Sequence, residues 1–421
     1  MTTIVTFLGD RGLYETKYSF GDRDQSYTGG VFAEALVQFC EFDRMIVCVT
    51  AQAKLNTWSK LVNLHSDPRI QALDIPTGMD TGEMWQTFEI IAAEIPEGES
   101  VIFDITHGLR SLPFLVFLFA AYFKAAKNVS IEGIYYGALD LKNAEGIAPV
   151  IDLSEFISMI DWITATTRFT EMGNGQALVD LLRNEIPSAE ELGDRPDWSD
   201  LSVSLENAAS AIETISLALS ITRPIEVMAS AAKLEATLKR SADAFGQRAR
   251  PFQLLSDRVV AEYGQFALER PIQKEAIRQN LEIQRETIEW YIERNYIVQA
   301  LTLAREWLVS LVAYWFDLDI LDYRGSREPI EDALHRLRHK FHGRGRGFVS
   351  RESSYFDKLV DLSNARAIAT LWKELANLRN DLAHCGMNKQ PMLATKMRES
   401  AMGIGRSLID IERAFVKKIE E

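Results

Sequence analysis

The sequence has few cysteines and no apolar run long enough to span a bilayer. Only three cysteines, Cys40, Cys48 and Cys385, stand in 421 residues, and their spacing matches neither a disulfide framework nor a zinc site. The longest apolar run, from Leu112 to Phe123, is far shorter than the ~20 residues that a membrane helix needs. The first residues lack the basic start of an export signal. We therefore expect reduced thiols, no metal centre, no membrane partner and a cytoplasmic protein.

The sequence also lacks two common nucleotide-binding fingerprints. The pattern G-x-G-x-x-G of dinucleotide-binding folds and the pattern G-x-x-x-x-G-K-[ST] of P-loop proteins do not occur. What the sequence does have is a balanced composition, with 47% hydrophobic and 25% charged residues. This balance is typical of a chain that buries large cores. A length of 421 residues predicts two or three domains.

Positive charge is concentrated at the carboxyl end of a chain whose formal net charge is −14. Residues 1–165 carry 11 Lys+Arg against 22 Asp+Glu, whereas residues 291–421 carry 21 against 18. Within this last third, the run 333–351 contains six Arg or Lys, three His and no acid. A solvated basic loop and a track for nucleic-acid phosphates both fit this run. His335 and His339 are four residues apart, but the cationic residues between them disfavour a metal site, and we expect a basic helix face that contacts RNA or solvent.

The predicted elements divide the chain into an α/β part and an all-α part. Short apolar runs predict strands at Thr3–Leu8, Met45–Thr50, Ile70–Ile75, Val101–Asp104 and Ile131–Tyr136. Helical stretches separate these runs, which predicts a parallel sheet covered on both faces, as in a Rossmann-like domain. From about residue 157 onward, long amphipathic segments predict helices only.

We expect three domains from this pattern. They are an α/β domain over residues 1–165, a helical connector over residues 166–290 and a helical domain over residues 291–421. The helical segment Ile272–Phe316 is too long for an ordinary globular helix and is expected to break near Asn295.

Two segments follow predicted strands, at the sheet edge where open α/β sheets bind ligands. The first is GDRG at residues 9–12, and the second runs over residues 104–111. The loop from residue 10 to residue 28 carries several aromatic side chains, which either cover a ligand and stack on its bases or form the core of a hairpin. These aromatic residues are Tyr14, Tyr18, Phe20 and Tyr27.

The second segment has the composition of a binding loop. Gly108 permits close approach of the backbone to a ligand, and Thr106 offers a hydroxyl group. His107 and Arg110 can contact phosphate at a helix start. The alternative is a turn capped by Asp104, with His107 as an ordinary core histidine. Six polar or small residues within one turn favour the binding loop.

A second candidate site lies near the carboxyl terminus, where Trp372–His384 predicts a helix that carries Arg379, Asn380 and His384. On one helix Asn380 and His384 share a face, whereas Arg379 and His384 diverge by roughly 140°. Two copies related by a two-fold axis would place two arginines and two histidines around one cleft. RNA carries its own nucleophile, the 2′-OH, so its cleavage needs only a proton-transfer group such as His384 and a cation such as Arg379. A helix-capping histidine and a surface arginine are the alternative.

Together these two motifs resemble a known family. The sequence DITHGLRSLP at residues 104–113 is similar to the DxTHG signature of a subfamily of CRISPR-associated proteins with an amino-terminal CARF domain. The sequence RNDLAH at residues 379–384 is similar to the Arg-x-x-x-x-His motif of HEPN ribonucleases. The resemblance covers roughly residues 1–165 and 291–421, and the helical middle carries no recognisable match.

The resemblance implies an ancillary effector of type III CRISPR immunity, with a CARF ligand-sensing domain, a helical connector and a HEPN domain. A cyclic oligoadenylate, with the tetra-adenylate favoured and the hexa-adenylate as the other option, would bind across a CARF dimer. It would switch on metal-independent cleavage of single-stranded RNA at a HEPN dimer, by attack of the 2′-OH that leaves a 2′,3′-cyclic phosphate. The implied assembly is a homodimer or a higher oligomer built from dimers, without a cofactor.

The resemblance also assigns roles to residues. Catalysis falls to Arg379, Asn380 and His384. The activator is expected to contact Gly9, Asp10, Arg11, Thr106, His107, Gly108 and Arg110. The RNA is expected to meet the basic run at Arg336, Arg338, Lys340, Arg344 and Arg346. Some CARF domains cleave their own activator, and Thr106 or His107 would be the candidates for that ring-nuclease activity here.

A regulator without chemistry is the main alternative function. Such a protein would sense a ligand and bind nucleic acid or protein through its helical domain, since fold does not determine function. The intact pair of Arg379 and His384 favours the nuclease. A small-molecule enzyme that uses the α/β domain alone is disfavoured by the missing cofactor fingerprints.

Overall fold

The chain folds into two compact units, Met1–Asp161 and Trp162–Glu421. The computed structural model describes residues 1–10, 12–21, 25–61, 64, 66–108, 111–195, 198–343, 354–387 and 389–420. The first unit contains every described strand, and the second unit is built from helices. The predicted fold class, an α/β part followed by an all-α part, is therefore confirmed.

One sheet of eight described strands organises the first unit. The strands are β1 (Thr2–Leu8), β2 (Thr16–Phe20), β3 (Gln25–Gly29), β4 (Arg44–Val49), β5 (Ile70–Asp74), β6 (Ser100–Asp104), β7 (Ser130–Gly137) and β8 (Ile147–Asp152). Their order in the sheet is β3-β2-β8-β7-β6-β1-β4-β5. The five strands predicted from apolar runs correspond to β1, β4, β5, β6 and β7, so these predictions are confirmed.

The middle of the sheet is parallel and contains a reversal of strand order. Strands β7, β6, β1, β4 and β5 all run in the same direction. After β1 the chain forms β2 and β3 at one edge of the sheet, then adds β4 and β5 on one side of β1, and then places β6 on the other side of β1. Ligands of open α/β sheets bind at such a switch point, beyond the carboxyl ends of the strands. Both predicted binding segments start there, because β1 ends at Leu8 and β6 ends at Asp104.

The remaining three strands make the sheet mixed, which corrects the expectation of a wholly parallel sheet. Strand β8 is antiparallel to β7, and β2 and β3 form an antiparallel hairpin. Residues 138–146 are too short a link for a parallel crossover, which needs a dozen or more residues. In the hairpin, Tyr18 and Phe20 are buried, so these two aromatic side chains are hairpin core.

Helices cover both faces of this sheet. They are α1 (Phe32–Phe39), α2 (Ala51–Asn56), α3 (Thr81–Glu94), α4 (Leu112–Lys127) and the first part of α5 (Ser154–Met172). Successive side chains of a strand point to opposite faces. In β1, Ile4 packs in the core that contains Phe32 of α1, and Val5 packs in the core that contains Phe123 of α4. Successive side chains of β1 therefore contribute in turn to the two cores, one on each face of the sheet.

The second unit consists of helices that follow one another closely. After α5 come α6 (Gln176–Asn184), α7 (Ala189–Asp194), α8 (Ser199–Ser220), α9 (Pro224–Arg240), α10 (Ala242–Arg248), α11 (Arg250–Gly264), α12 (Ile277–Glu293), α13 (Ile297–Trp315), α14 (Glu328–His342), α15 (Ser354–Val360), α16 (Ala365–Ala383) and α17 (Ala394–Glu420). The predicted break near Asn295 is confirmed: α12 ends at Glu293, and Asn295 takes a left-handed conformation with φ of 61° before α13 begins.

One hydrophobic core runs through this helical unit. It includes Phe169 and Leu205 from the amino-terminal helices and Trp307, Leu334 and Trp372 from the carboxyl-terminal ones. Residues on both sides of the expected boundary at position 290 thus share a core. The division of the helical part into a connector and a separate domain stays a prediction.

Among the described residues, one helix, α13, is both long and apolar. By length and composition alone it is sufficient to cross a membrane. Most of its apolar window is buried, and Trp307, Leu308 and Val312 are fully enclosed by neighbouring helices. The length and apolar composition of α13 are equally typical of a helix in the core of a helical unit.

Replacing Leu308 with alanine tests the burial of α13. The fully buried side chain leaves a cavity, so we expect Leu308→Ala to lower the free energy of unfolding by about 2–5 kcal/mol. Val298→Ala on the same helix is the control: Val298 is exposed, and its loss should change stability by at most about 0.5 kcal/mol. Urea unfolding followed by circular dichroism measures both, and equal losses would contradict the packing of this helix.

Candidate functional site

A cleft of about 750 Å³ opens at the carboxyl edge of the parallel strands. We call it the sheet-edge cleft. Its walls include Gly9 after β1, Thr50 after β4 and Thr106 after β6, together with Gly137 at the end of β7. The volume lies within the range of about 300–1,000 Å³ that is typical of small-molecule sites. The strand-reversal point and the cleft therefore coincide.

A buried carboxylate holds the loops of this cleft together. Asp104 is fully buried; one carboxylate oxygen accepts the hydroxyl hydrogen of Thr6 at 2.6 Å, and the other accepts the backbone N–H of Thr106 at 2.7 Å. The hydroxyl oxygen of Thr106 in turn accepts the backbone N–H of Gly137 at 2.8 Å. These bonds connect β1, β6 and β7. Burial raises the pKa of Asp104, and His107 nearby opposes that rise.

His107 is a neutral imidazole in this structure. Its Nε2 atom accepts the backbone N–H of Phe32, the first residue of α1, at 3.2 Å. An accepting Nε2 requires that the ring proton lie on Nδ1. Burial lowers the pKa of His107, and the charge of Asp104 only partly opposes this. His107 lines the sheet-edge cleft and is not enclosed in the core, so a ligand could reach it.

Two glycines bring the loops after β1 and β6 into close contact. A Cβ atom on Gly108 would lie 2.6 Å from the side chain of Leu112, and Gly108 has a φ of 114°, which other residues rarely adopt. A Cβ atom on Gly9 would lie 3.8 Å from the backbone nitrogen of Gly108. The hydroxyl of Thr57 donates to the carbonyl of Gly9 at 2.7 Å and holds this loop from the side of α2.

Three helices begin at the cleft, but its described lining carries little positive charge. The residues that precede α1, α2 and α4, namely Val31, Thr50 and Ser111, all line it. The N–H of Phe32 already donates to His107 and that of Ala53 to the hydroxyl of Thr50, so only the remaining N–H groups at these helix starts can attract an anion. Among the described lining residues there is no Lys or Arg, whereas Asp10 and Asp140 contribute acids. Arg11 and Arg110, which we predicted to contact the ligand, lie outside the described residues.

The second candidate site occupies the end of α16. Arg379 and Asn380 belong to its last turn, and His384 is the C-cap residue. The chain leaves the helix through Cys385 and Gly386, both with positive φ, as in a common helix stop. All three predicted catalytic side chains are exposed, and no described side chain forms a hydrogen bond or ion pair with them.

The predicted RNA-binding residues that the structure describes lie on α14, apart from this end of α16. His342, at the end of α14, contacts the hydroxyl of Thr370 at 3.0 Å, and Thr370 precedes His384 by roughly 20 Å along α16. On α14, Arg338 is half-buried and Lys340 is exposed. Arg336 pairs with Asp332 at 3.0 Å, so its charge is already partly neutralised. Arg344 and Arg346 lie outside the described residues.

His335 does not belong to an exposed basic face, which corrects our expectation for it. Its Nδ1 atom accepts the indole N–H of Trp372 at 3.4 Å, and the two rings meet edge to face. Burial lowers the pKa of His335, and Arg305, which lies over the same indole, lowers it further. Within the described part of the chain, no group of three or more His, Cys, Asp or Glu side chains could hold a metal ion.

A match to a known protein family lies in the helical middle of the chain. A family model described as "CRISPR-associated protein MJ1674, second domain" matches residues 158–266. This segment is similar to a CRISPR-associated protein. A curated relative, CRISPR-associated protein MJ1674 of Methanocaldococcus jannaschii, is 37% identical over 134 residues, which cover 31% of this chain and 21% of the relative. The aligned part thus spans about a fifth of the relative's length, and the similarity supports a role in CRISPR systems.

Several of these features were not predicted from the sequence. The family match covers most of α5 and helices α6 to α11, and nearly all of it lies in the part in which we recognised nothing. Thr6 and Thr57 were not predicted to take part in the cleft. A threonine within an apolar strand is a weak signal, because threonine is also a common strand former. Gly137 contributes only a backbone amide, which no side-chain pattern reveals.

The pKa of His107 predicts a pH dependence of stability. Because the folded pKa lies below the ordinary 6.5, the unfolded chain binds more protons near that pH, and the free energy of unfolding rises as pH increases toward about 6.5. His107→Gln retains an acceptor for the Phe32 amide but cannot titrate. We expect the free energy of unfolding of the wild type, relative to that of this variant, to increase from about pH 5 to pH 7. Urea unfolding at each pH measures it, and a constant difference would contradict the neutral imidazole.

Proposed function

We propose that this chain is a metal-independent, single-stranded RNA endonuclease of type III CRISPR defence that a cyclic oligoadenylate activates. In this proposal the first unit is a CARF ligand-sensing domain, and the helical unit carries a HEPN ribonuclease. The observation on which the proposal rests is the group of Arg379, Asn380 and His384, exposed and without described partners at one end of α16. Side chains that stabilise a fold are usually buried or paired, and these are neither.

The chemistry of RNA cleavage suits this group. The imidazole of His384 removes the proton of the 2′-OH, whose oxygen then attacks the adjacent phosphorus. The bond from phosphorus to the 5′ oxygen breaks, and this oxygen takes up a proton, which leaves a 2′,3′-cyclic phosphate and a free 5′-OH. The guanidinium of Arg379 stabilises the negative charge of the phosphorane, and Asn380 orients the phosphate. No metal ion enters this reaction.

The sheet-edge cleft suits a compact phosphodiester better than a long polyanion. Helix starts supply backbone N–H donors for a few phosphates, whereas the acids Asp10 and Asp140 oppose a dense negative charge. We propose cyclic tetra-adenylate as the activator, with cyclic hexa-adenylate as the second candidate. Thr106, His107 and Gly108 lie in the wall where this ring would rest.

We further propose that two copies of the chain associate through α4. Phe114, Leu118 and Tyr122 follow one another at intervals of four residues and are exposed by 69%, 49% and 46%, so they form one apolar stripe. Tyr122 contacts Phe88 of α3, beside which the exposed Trp85 extends the surface. Exposed apolar patches mark interaction surfaces. Since α4 begins at the cleft, a symmetric contact here would bring two clefts together.

The nuclease proposal is tested with labelled RNA in EDTA, to which cyclic tri-, tetra- or hexa-adenylate is added separately. We expect cleavage with one of the rings. His384→Ala should reduce the rate about 100-fold or more, because it removes the proton-transfer group, and should leave ring binding unchanged. Arg398→Ala, which removes an exposed arginine of α17 outside the motif, is the control and should cleave at the parental rate.

Two results would count against the nuclease. Cleavage by His384→Ala at the parental rate would show that the catalytic assignment is wrong. The absence of cleavage with all three rings would favour a ligand-sensing regulator that binds nucleic acid or protein through its helices.

The association through α4 is tested by a charge placed in the stripe. Leu118→Arg should weaken dimerisation at least about tenfold, because a guanidinium would be buried against an apolar surface. Leu254→Arg is the matched control, since Leu254 is an exposed leucine of the helical unit. Sedimentation equilibrium measures both variants. A dimer that dissociates equally in the two variants, or in neither, would exclude this surface.

A further inference from the structure

The two ring nitrogens of His107 are in different states. Nε2 accepts the backbone N–H of Phe32 at 3.2 Å. Nδ1 carries the proton, and no described residue forms a hydrogen bond with it. The ring also lines the sheet-edge cleft. The ring N–H, which has no described partner, is therefore able to donate to a ligand, and the hydrogen bond at Nε2 connects the ligand site to the start of α1.

Three titratable groups near the cleft, those of Asp104, Glu34 and Tyr18, do not supply the ring of His107 with a proton. Asp104 on β6 is fully buried and already accepts two hydrogen bonds. Glu34 on α1 accepts the backbone N–H groups of residues 30 and 31. Tyr18 on β2 is buried, and burial raises its pKa, so its phenol stays neutral. In the free protein the imidazole is consequently neutral, with both neighbouring carboxylates satisfied by other donors.

We propose that an anionic ligand enters the sheet-edge cleft together with a proton, which His107 takes up, and that this uptake breaks the hydrogen bond from Phe32. The inference rests on the proposed function, which brings a phosphodiester to this cleft. A negative charge close to an imidazole favours its charged form. Because the described lining offers no Lys or Arg, His107 is the side chain in this lining that becomes cationic at an accessible pH.

Proton uptake has a structural consequence at the beginning of α1. A protonated Nε2 and the N–H of Phe32 are both donors, so they cannot remain 3.2 Å apart in the same orientation. Either the ring or the first turn of α1 must move. Phe32 is fully buried and packs against Tyr18 of the hairpin, with ring centroids 5.0 Å apart. A shift at Phe32 would therefore reach the hairpin that covers one side of the cleft.

Isothermal titration calorimetry measures the proton directly. Cyclic tetra-adenylate and cyclic hexa-adenylate are titrated into the whole chain, in two buffers with different enthalpies of ionisation. For the ring that binds, we expect the observed heats to differ by up to one buffer ionisation enthalpy per cleft. The affinity should fall as pH rises, by up to about tenfold per unit between about pH 6 and pH 8.

The variant His107→Gln separates proton uptake from binding. Its amide oxygen can accept the Phe32 N–H, but it takes up no proton in this range, so the heats should become equal in the two buffers. Hydrogen exchange supplies a second readout: ring binding should increase exchange at residues 32–34 in wild type and leave it unchanged in the variant.

The outcomes distinguish this inference from the function on which it rests. Tight binding of a ring with equal heats in both buffers would overturn the proton uptake and leave the proposed activator in place. The same buffer dependence in His107→Gln as in wild type would assign the proton to another group and overturn the role of His107. No binding of either ring would contradict the proposed function, and this inference with it.

Discussion

The buried carboxylate of Asp104 is the constraint on which the amino-terminal unit depends. A charged or polar group without water must be satisfied by hydrogen bonds, and Asp104 finds its donors on two different segments, at Thr6 and at Thr106. The hydroxyl oxygen of Thr106 in turn accepts the backbone N–H of Gly137. Three neighbouring strands are thereby held in register at the edge where the cleft opens. The same bonds that complete the fold determine the position of the cleft wall.

The helical unit differs from the amino-terminal unit, because its described core is not organised around a buried carboxylate. Its interior is apolar and continuous, whereas Arg379, Asn380 and His384 at the end of α16 are exposed and form no hydrogen bond or ion pair with a described side chain. Arg379 and His384 lie at the end of a helix whose buried face contains Trp372 and Leu375. Exposed polar side chains at the end of a helix are accessible to a large molecule from outside, because they do not lie in an enclosed pocket.

The elements that the sequence predicted correctly are those whose pattern is local. Strands β1 and β4 are buried on both faces and read as continuous apolar runs, and the break at Asn295 follows from the length of the segment around it. The mixed edge of the sheet was not predicted, because the pairing of β8 depends on contacts far apart in the chain. The basic run is also less cationic than its composition indicates, because Arg336 pairs with Asp332, which precedes the run by one residue.

The exit of α16 has a practical consequence. Cys385 is exposed immediately after His384, whereas Cys48 is buried and Cys40 is half-buried. A thiol-reactive fluorophore would therefore attach selectively beside the motif, at a residue whose backbone conformation is already constrained by the helix stop. Energy transfer between dyes on two such chains would report the distance between their motifs in solution, without a change to any of the polar residues themselves.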